Sequence, residues 1–173
     1  MFNLCHAERM PTDETPATHE QRLHSTGIVL PAALPAFGTY VPCVTHDGLL
    51  WMSGHFGTTP DTILYTGKVG LDVDTERARA AARSAAINML ATIRETVGTL
   101  NNVERVLTLN GVVNATSDYV EHTRVIDAAS DVLVEVFGDA GRHARLAVGV
   151  ASLPANMCLE IQAVLQLTST ATG

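Results

Sequence analysis

The stretch that most constrains the fold is Ala144 to Leu167, ARLAVGVASLPANMCLEIQAVLQL. It holds two runs of alternation separated by a break at Pro154-Ala155-Asn156. Strand side chains alternate with period two, so Leu146, Val148 and Val150 share one face and Arg145, Ala147, Gly149 and Ala151 the other. In the second run Leu159, Ile161, Ala163, Leu165 and Leu167 form the apolar face, with Cys158, Glu160, Gln162, Val164 and Gln166 opposite. Read as a hairpin, Leu153 to Asn156 is the loop and Ser152 faces Met157. Val150 then lies beside Leu159, Val148 beside Ile161 and Gly149 opposite Glu160. The two apolar faces agree in this register and would disagree after a one-residue slip. The other face carries one Arg, one Glu and a row of very small residues, which suits close approach of a ligand or a second surface.

The remaining elements follow from periodicity and turn chemistry. A polar segment, Glu8 to Glu20, is expected to have little fixed structure. His19 to Ser25 reads as a short helix ended by Gly27, and Ile28 to Pro42, with Pro31, Pro35 and Pro42, as extended loop. Residues 1–27 are therefore read as a partly flexible extension and 28–168 as a single domain. Thr39 to Thr45 and Leu49 to Ser53 flank His46-Asp47-Gly48, a hairpin signal. Ser53-Gly54-His55-Phe56-Gly57 reads as a tight turn or as backbone approaching a ligand. Ile63 to Tyr65 is a candidate third strand. Asp74 to Val97 is the longest helix, capped by Asp74 and stopped by Gly98, with an apolar stripe at Ala82, Ala86, Met89, Ile93 and Val97. Arg79, Arg83 and Arg94 lie on its other side. Arg105 to Val113 reads as a strand that is apolar on both faces, including Leu107, and Thr123 to Phe137 as a second helix.

Two helices cover only one face of such a sheet. The other face, assigned Ala147, Gly149, Ala151, Val106 and Val112, is too apolar for open water. A second copy of the chain is its expected cover, since symmetric homo-oligomers are the usual solution. Formal charge is −7 and Lys68 is the single lysine. Without clustered basic residues, a general nucleic-acid partner is not expected. Cys5, Cys43 and Cys158 form no CxxC and read as reduced thiols. No apolar run reaches the ~20 residues of a membrane span, and Met1 to Met10 lacks the form of a signal peptide. A cytoplasmic location is expected. No histidine or cysteine pair has metal-ligand spacing.

Four motifs carry a family resemblance: RLAVGVASLP (Arg145 to Pro154), LEIQA (Leu159 to Ala163), FGTYV (Phe37 to Val41) and WMSGH (Trp51 to His55). In these the chain resembles the Rid (YjgF) family of enamine/imine deaminases, also labelled L-PSP endoribonucleases. VFGDAGRHAR (Val136 to Arg145) looks like one branch of it. The resemblance implies an α+β, chorismate-mutase-like fold, a mixed sheet with two helices packed on one face, assembled as a homotrimer with three sites between subunits. It implies hydrolysis of 2-aminoacrylate-type enamines and imines to 2-keto acids and ammonia, with no metal or organic cofactor. Arg145 matches the arginine that holds the substrate carboxylate, and Glu160 the glutamate that handles the attacking water. Tyr40 and Gly54 match site-lining positions. His55 stands where the family has Gln, Ala147 where it often has Cys, and Asp127 where it often has Asn. A carboxylate at Asp127 would repel an incoming carboxylate.

The residue chemistry is compatible with these roles. A guanidinium presents paired donors that fit a carboxylate, and a carboxylate can deprotonate water for attack on an iminium carbon. The bland alternatives are a surface ion-pair partner for Arg145, which has no carboxylate at its own position, and a solvated glutamate at Glu160. In the hairpin register the two lie roughly 13 Å apart along the strand, so they meet across one ligand only if the sheet curls or a neighbouring chain contributes. His143 is near the site by sequence but reads as a loop residue, and Cys158 as a buried, inert thiol. Three functions remain open: a deaminase, a non-catalytic oligomer that binds a small carboxylate, and a ribonuclease or translation inhibitor.

Overall fold

A computed structural model describes residues 17–58 and 62–169. The polar segment before 17 and Cys5 lie outside the described residues. The elements run α1 (His19–Thr26), β1 (Cys43–His46), β2 (Leu49–Met52), α2 (Thr75–Val97), β3 (Val103–Asn114), α3 (His122–Phe137), β4 (Ala144–Val150) and β5 (Leu159–Leu167). Five strands form one mixed sheet in the order β1-β2-β5-β3-β4. Helices α2 and α3 pack against each other and against the same face of it, which is the expected α+β architecture.

Local chemistry explains most element ends. Asp74 caps α2 by accepting a hydrogen bond from the Arg77 amide at 2.8 Å. Thr18 and Gln21 form a reciprocal capping box at α1. Asp47 and Gly48, both with positive φ, close the β1–β2 hairpin. Ala78, Ala82, Ala85, Ala86, Met89 and Ile93 of α2 are fully buried, and so many alanines let α2 approach both the sheet and α3. Leu23 of α1 joins the same core. No helix among the described residues is long and apolar enough to cross a membrane.

The Ala144–Leu167 hairpin does not form. β3 lies between the two runs, parallel to β4 and antiparallel to β5. Gly149 is opposite Val113, and Glu160 is opposite Val112 on the other side of β3. The sequence pattern allowed a hairpin because β4 and β5 do run in opposite directions. A 12-residue strand that is apolar on one whole face competes better for the central position than a four-residue loop does for adjacency. The 3-10 turn at Pro154–Asn156, with Ala155 and Asn156 at positive φ, carries the chain across instead.

This insertion reverses the faces of β4. Arg145 and Ala147 pair with Leu109 and Gly111, whose neighbours on β5 are the buried Ala163 and Ile161. Arg145, Ala147 and Gly149 therefore face the helices. Leu146, 51% exposed, and Val148, 36% exposed, face the open side with Glu160. Val106 is also in the core, and Leu107 is exposed, because the β3–β5 register shifts between Val106 and Thr108. The apolar part of the uncovered face is made by Val44, Trp51, Leu146 and Val148 rather than by small residues, and Asn110, Glu160 and Gln162 share that face with them. Ile63 to Tyr65 is not a strand: it makes only isolated bridges, Thr58 with Ile63 and, next to it, Thr66 with Met157.

Candidate active site

The candidate residues separate into two groups. The first surrounds Arg145 on the helix side of β4. Its Nη1 donates to Asp127 Oδ1 at 2.6 Å and to Ser130 Oγ at 3.1 Å, both on α3. At its own strand position Arg145 faces Leu109 and no carboxylate, but α3 packs over β4 and brings Asp127 to it. Ser130 Oγ is also 3.1 Å from His143 Nε2, and His143 Nδ1 lies 2.6 Å from the Gly141 carbonyl oxygen. A carbonyl only accepts, so Nδ1 carries the proton and Nε2 accepts from the Ser130 hydroxyl. Burial, with the Arg145 charge as a lesser cause, lowers the His143 pKa and keeps this tautomer neutral. The chain of donors thus runs one way, from Arg145 through Ser130 and His143 to Gly141. His143 is a loop residue, as read, but Ser130 carried no signal, since one serine inside a helix looks like any other. Ala147, two residues along on the same face, is partly buried and packs against the core.

The second group surrounds Glu160 on the open face. His55 N–H donates to the Ile161 carbonyl at 2.7 Å, and Ile161 N–H donates back to His55 at 2.8 Å. This pair of bonds clips the 53–55 loop to β5 and lays Gly54 against Glu160. A Cβ built on Gly54 would overlap the Glu160 carboxylate and fall 2.9 Å from its Cγ, so only glycine leaves the carboxylate where it is. Among the described residues none hydrogen-bonds this carboxylate, and burial raises its pKa. A groove of about 220 Å³, lined by Gly54, Asn110, Val112 and Glu160, opens over it. Gly54 also lines a neighbouring cleft with Tyr40, Phe37 and Ser53. Tyr40 is 51% exposed, with its hydroxyl 3.4 Å from the Phe37 amide.

His55 is 4% exposed. Its Nδ1 contacts the Ser53 carbonyl at 2.8 Å and its Nε2 the Thr92 hydroxyl at 3.0 Å, so both nitrogens are used in anchoring the loop. Burial lowers its pKa, with the Ser53 bond acting weakly the other way. The folded chain thus keeps His55 neutral, while the unfolded chain takes up a proton near the usual ~6.5. The unfolded state then binds more protons, and stability falls as pH drops below that value. His19 and His143 act in the same direction. His55→Gln is expected to make the fall shallower. Urea melts of both proteins at pH 7.5 and 5.5 check this, and an unchanged pH slope would mean His55 titrates normally.

Arg145 and Glu160 do not meet within one chain. They sit two strands apart and three residues out of register, a Cα separation of roughly 14 Å from strand spacings, and on opposite faces of the sheet. Cys158 is buried, and its thiol is pushed up to about 11 by burial. No group of three or more His, Cys, Asp or Glu side chains among the described residues is placed to hold a metal ion.

This sheet, with its helix layer and its arginine and glutamate strands, belongs to a known family. Residues 20–165 match the family model described as "YjgF/chorismate_mutase-like, putative endoribonuclease", and the chain is a member of that family. It is 36% identical over 154 residues to Protein TCP17 of Trypanosoma cruzi, covering 88% of this chain and 94% of that one. The crystal structure of Atu1372 from Agrobacterium tumefaciens is 40% identical, with TM-score 0.80 over 87% of this chain and 92% of that one. A "putative endoribonuclease" from Shewanella oneidensis is 33% identical, with TM-score 0.84 over 87% of this chain and all of that one (100%).

Proposed function

We propose that the protein hydrolyses reactive 2-imino acids and their enamine tautomers, of the 2-aminoacrylate type, at sites completed between copies of the chain in a homotrimer. The observation that carries this reading is the Glu160 carboxylate. It lies against Gly54, is bonded by no described residue, is raised in pKa by burial, and opens into a groove it shares with Asn110, Val112 and Gln162. Such a carboxylate is poised to accept a proton from water rather than to stabilise the fold. Arg145 supplies the complementary charge, but from the opposite face, so a second copy must bring the two halves together. The exposed Val44, Trp51, Leu146 and Val148 give that copy an apolar surface to cover.

In this scheme the guanidinium holds the substrate carboxylate. Water adds to the iminium carbon as Glu160 takes its proton, forming a new C–O bond. That proton passes to nitrogen; Glu160 then takes the hydroxyl proton as the C=O bond forms and the C–N bond breaks, and ammonia leaves, picking up the proton as ammonium, with a 2-keto acid behind. The ribonuclease alternative finds little support in the helix arginines. Arg83 and Arg94 reach Glu135 and Glu20 at 3.3 and 3.9 Å, and Arg79 reaches Glu76 at 3.7 Å.

The direct test is ammonia release from an imino acid generated in the assay by an amino-acid oxidase. Glu160→Gln should lower kcat more than it weakens ligand binding, because it keeps the shape and loses the base. Equal turnover by the two proteins would end the proposal.

Gly54→Ala should reproduce much of that loss by another route. The added methyl meets the mobile end of a side chain, so stability should stay within about 0.5 kcal/mol. The displaced carboxylate should still cost roughly tenfold or more in turnover. Thermal melts and the ammonia assay check both halves. A fully active variant would show that the position of Glu160 is immaterial.

A further inference from the structure

The Arg145–Asp127 contact changes what Arg145 can select. We propose that the pair recognises ligands with a cationic nitrogen on the carbon next to a carboxylate, α-amino acids and protonated 2-imino acids, in preference to 2-keto acids. This rests on Arg145 being the carboxylate clamp proposed above. At 2.6 Å from the guanidinium, Asp127 Oδ1 opposes its field. A bare carboxylate arriving there is pulled by Arg145 and pushed by Asp127. A ligand carrying both signs is pulled by both.

The valences left over fit that ligand. Arg145 spends Nη1 on Asp127 and Ser130, and among the described residues nothing bonds its Nη2 or Nε. Asp127 spends Oδ1, nothing described bonds its Oδ2, and its side chain is 47% exposed. The one-way chain through Ser130 to a neutral His143 adds no second cation to the site. The pair therefore presents a donor edge beside an acceptor atom, the mirror image of a carboxylate beside a protonated nitrogen.

The consequence for the proposed reaction is discrimination between substrate and product. An iminium acid carries the positive nitrogen. Its keto-acid product does not, and loses the Asp127 attraction when the C–N bond breaks. Asp127 would then favour release of product. It is a specificity residue that touches the ligand nitrogen, and takes no proton from water.

Calorimetric titration of the intact assembly with L-alanine and with pyruvate tests this. Wild type should bind alanine more tightly. Asp127→Asn should shift the alanine-to-pyruvate affinity ratio toward pyruvate by roughly 10- to 100-fold, the worth of one charge-assisted bond. Asp127→Glu, which keeps the charge, should leave alanine the tighter ligand. Thermal melts on each variant separate selectivity from folding. If Asp127→Asn leaves the ratio unchanged while Arg145→Ala weakens both ligands, the inference fails and the carboxylate clamp stands. If Arg145→Ala binds both ligands as wild type does, or wild type prefers pyruvate, the inference fails as well, in the first case together with the clamp.

Discussion

Arg145→Ala is expected to lower kcat/KM for imine hydrolysis roughly 10- to 100-fold, the worth of charge-assisted bonds of about 1.5–3 kcal/mol. Arg145→Lys should recover only part, because an ammonium keeps the charge and loses the paired geometry. The two-faced placement of the site makes a sharper experiment available. Arg145→Ala and Glu160→Gln subunits, each impaired alone, are unfolded together and reassembled at equal amounts. Every site then has one chance in two of receiving each intact half, so about a quarter of wild-type turnover should return in the closed symmetric assembly. A site contained within one chain would return none. Light scattering on the same samples should give a trimer, and a monomer at micromolar concentration would remove the shared-site mechanism.

The second large effect concerns stability. Gly141 is buried between the end of α3 and the start of β4. A Cβ there would fall 2.7 Å from the Leu133 carbonyl carbon and 2.9 Å from Val134 Cα. Both are backbone atoms of a packed helix and cannot step aside. Gly141→Ala should therefore cost roughly 1–3 kcal/mol and lower Tm by several degrees. Its carbonyl also anchors His143 and, through Ser130, Arg145. Turnover of the folded fraction should fall too. Urea denaturation and the ammonia assay on one preparation measure the two losses, and an unchanged Tm would contradict the packing described here.

Much of the architecture was legible because it is encoded locally. Asp74, Gly98 and the Ala82–Ala86–Met89–Ile93 stripe mark α2 with no help from the rest of the chain. Asp47-Gly48 marks its hairpin in the same way. Gly27 likewise ends the short N-terminal helix. The pairing of β4 with β5 was not legible, because alternation records direction and face but not which strand is the neighbour. Its misreading put Arg145 and Glu160 on one face, and the chemistry inherited the error. The residue motifs survived it, since RLAVGV and LEIQA name positions regardless of pairing. The contact of Asp127 with Arg145 was hidden for a related reason. Eighteen residues separate them, and only the packing of α3 over β4 brings them together. The 53–55 loop shows the opposite case: its glycine signals turn chemistry in the sequence, while the pressure on it comes from Glu160, more than a hundred residues away.

β4 is an outermost strand, bonded to β3 on one side only, and Leu146 and Val148 project from its open face. The outer edge of this seven-residue strand, unpaired within the sheet and beside exposed aliphatic side chains, forms a template on which another extended chain can add. Lys and Pro, the residues that usually blunt such an edge, are absent from its sequence ARLAVGV. Until something covers this margin, a newly made chain is at its most adhesive. Where copies of the chain cover it, the yield of usable protein depends on how quickly they find one another.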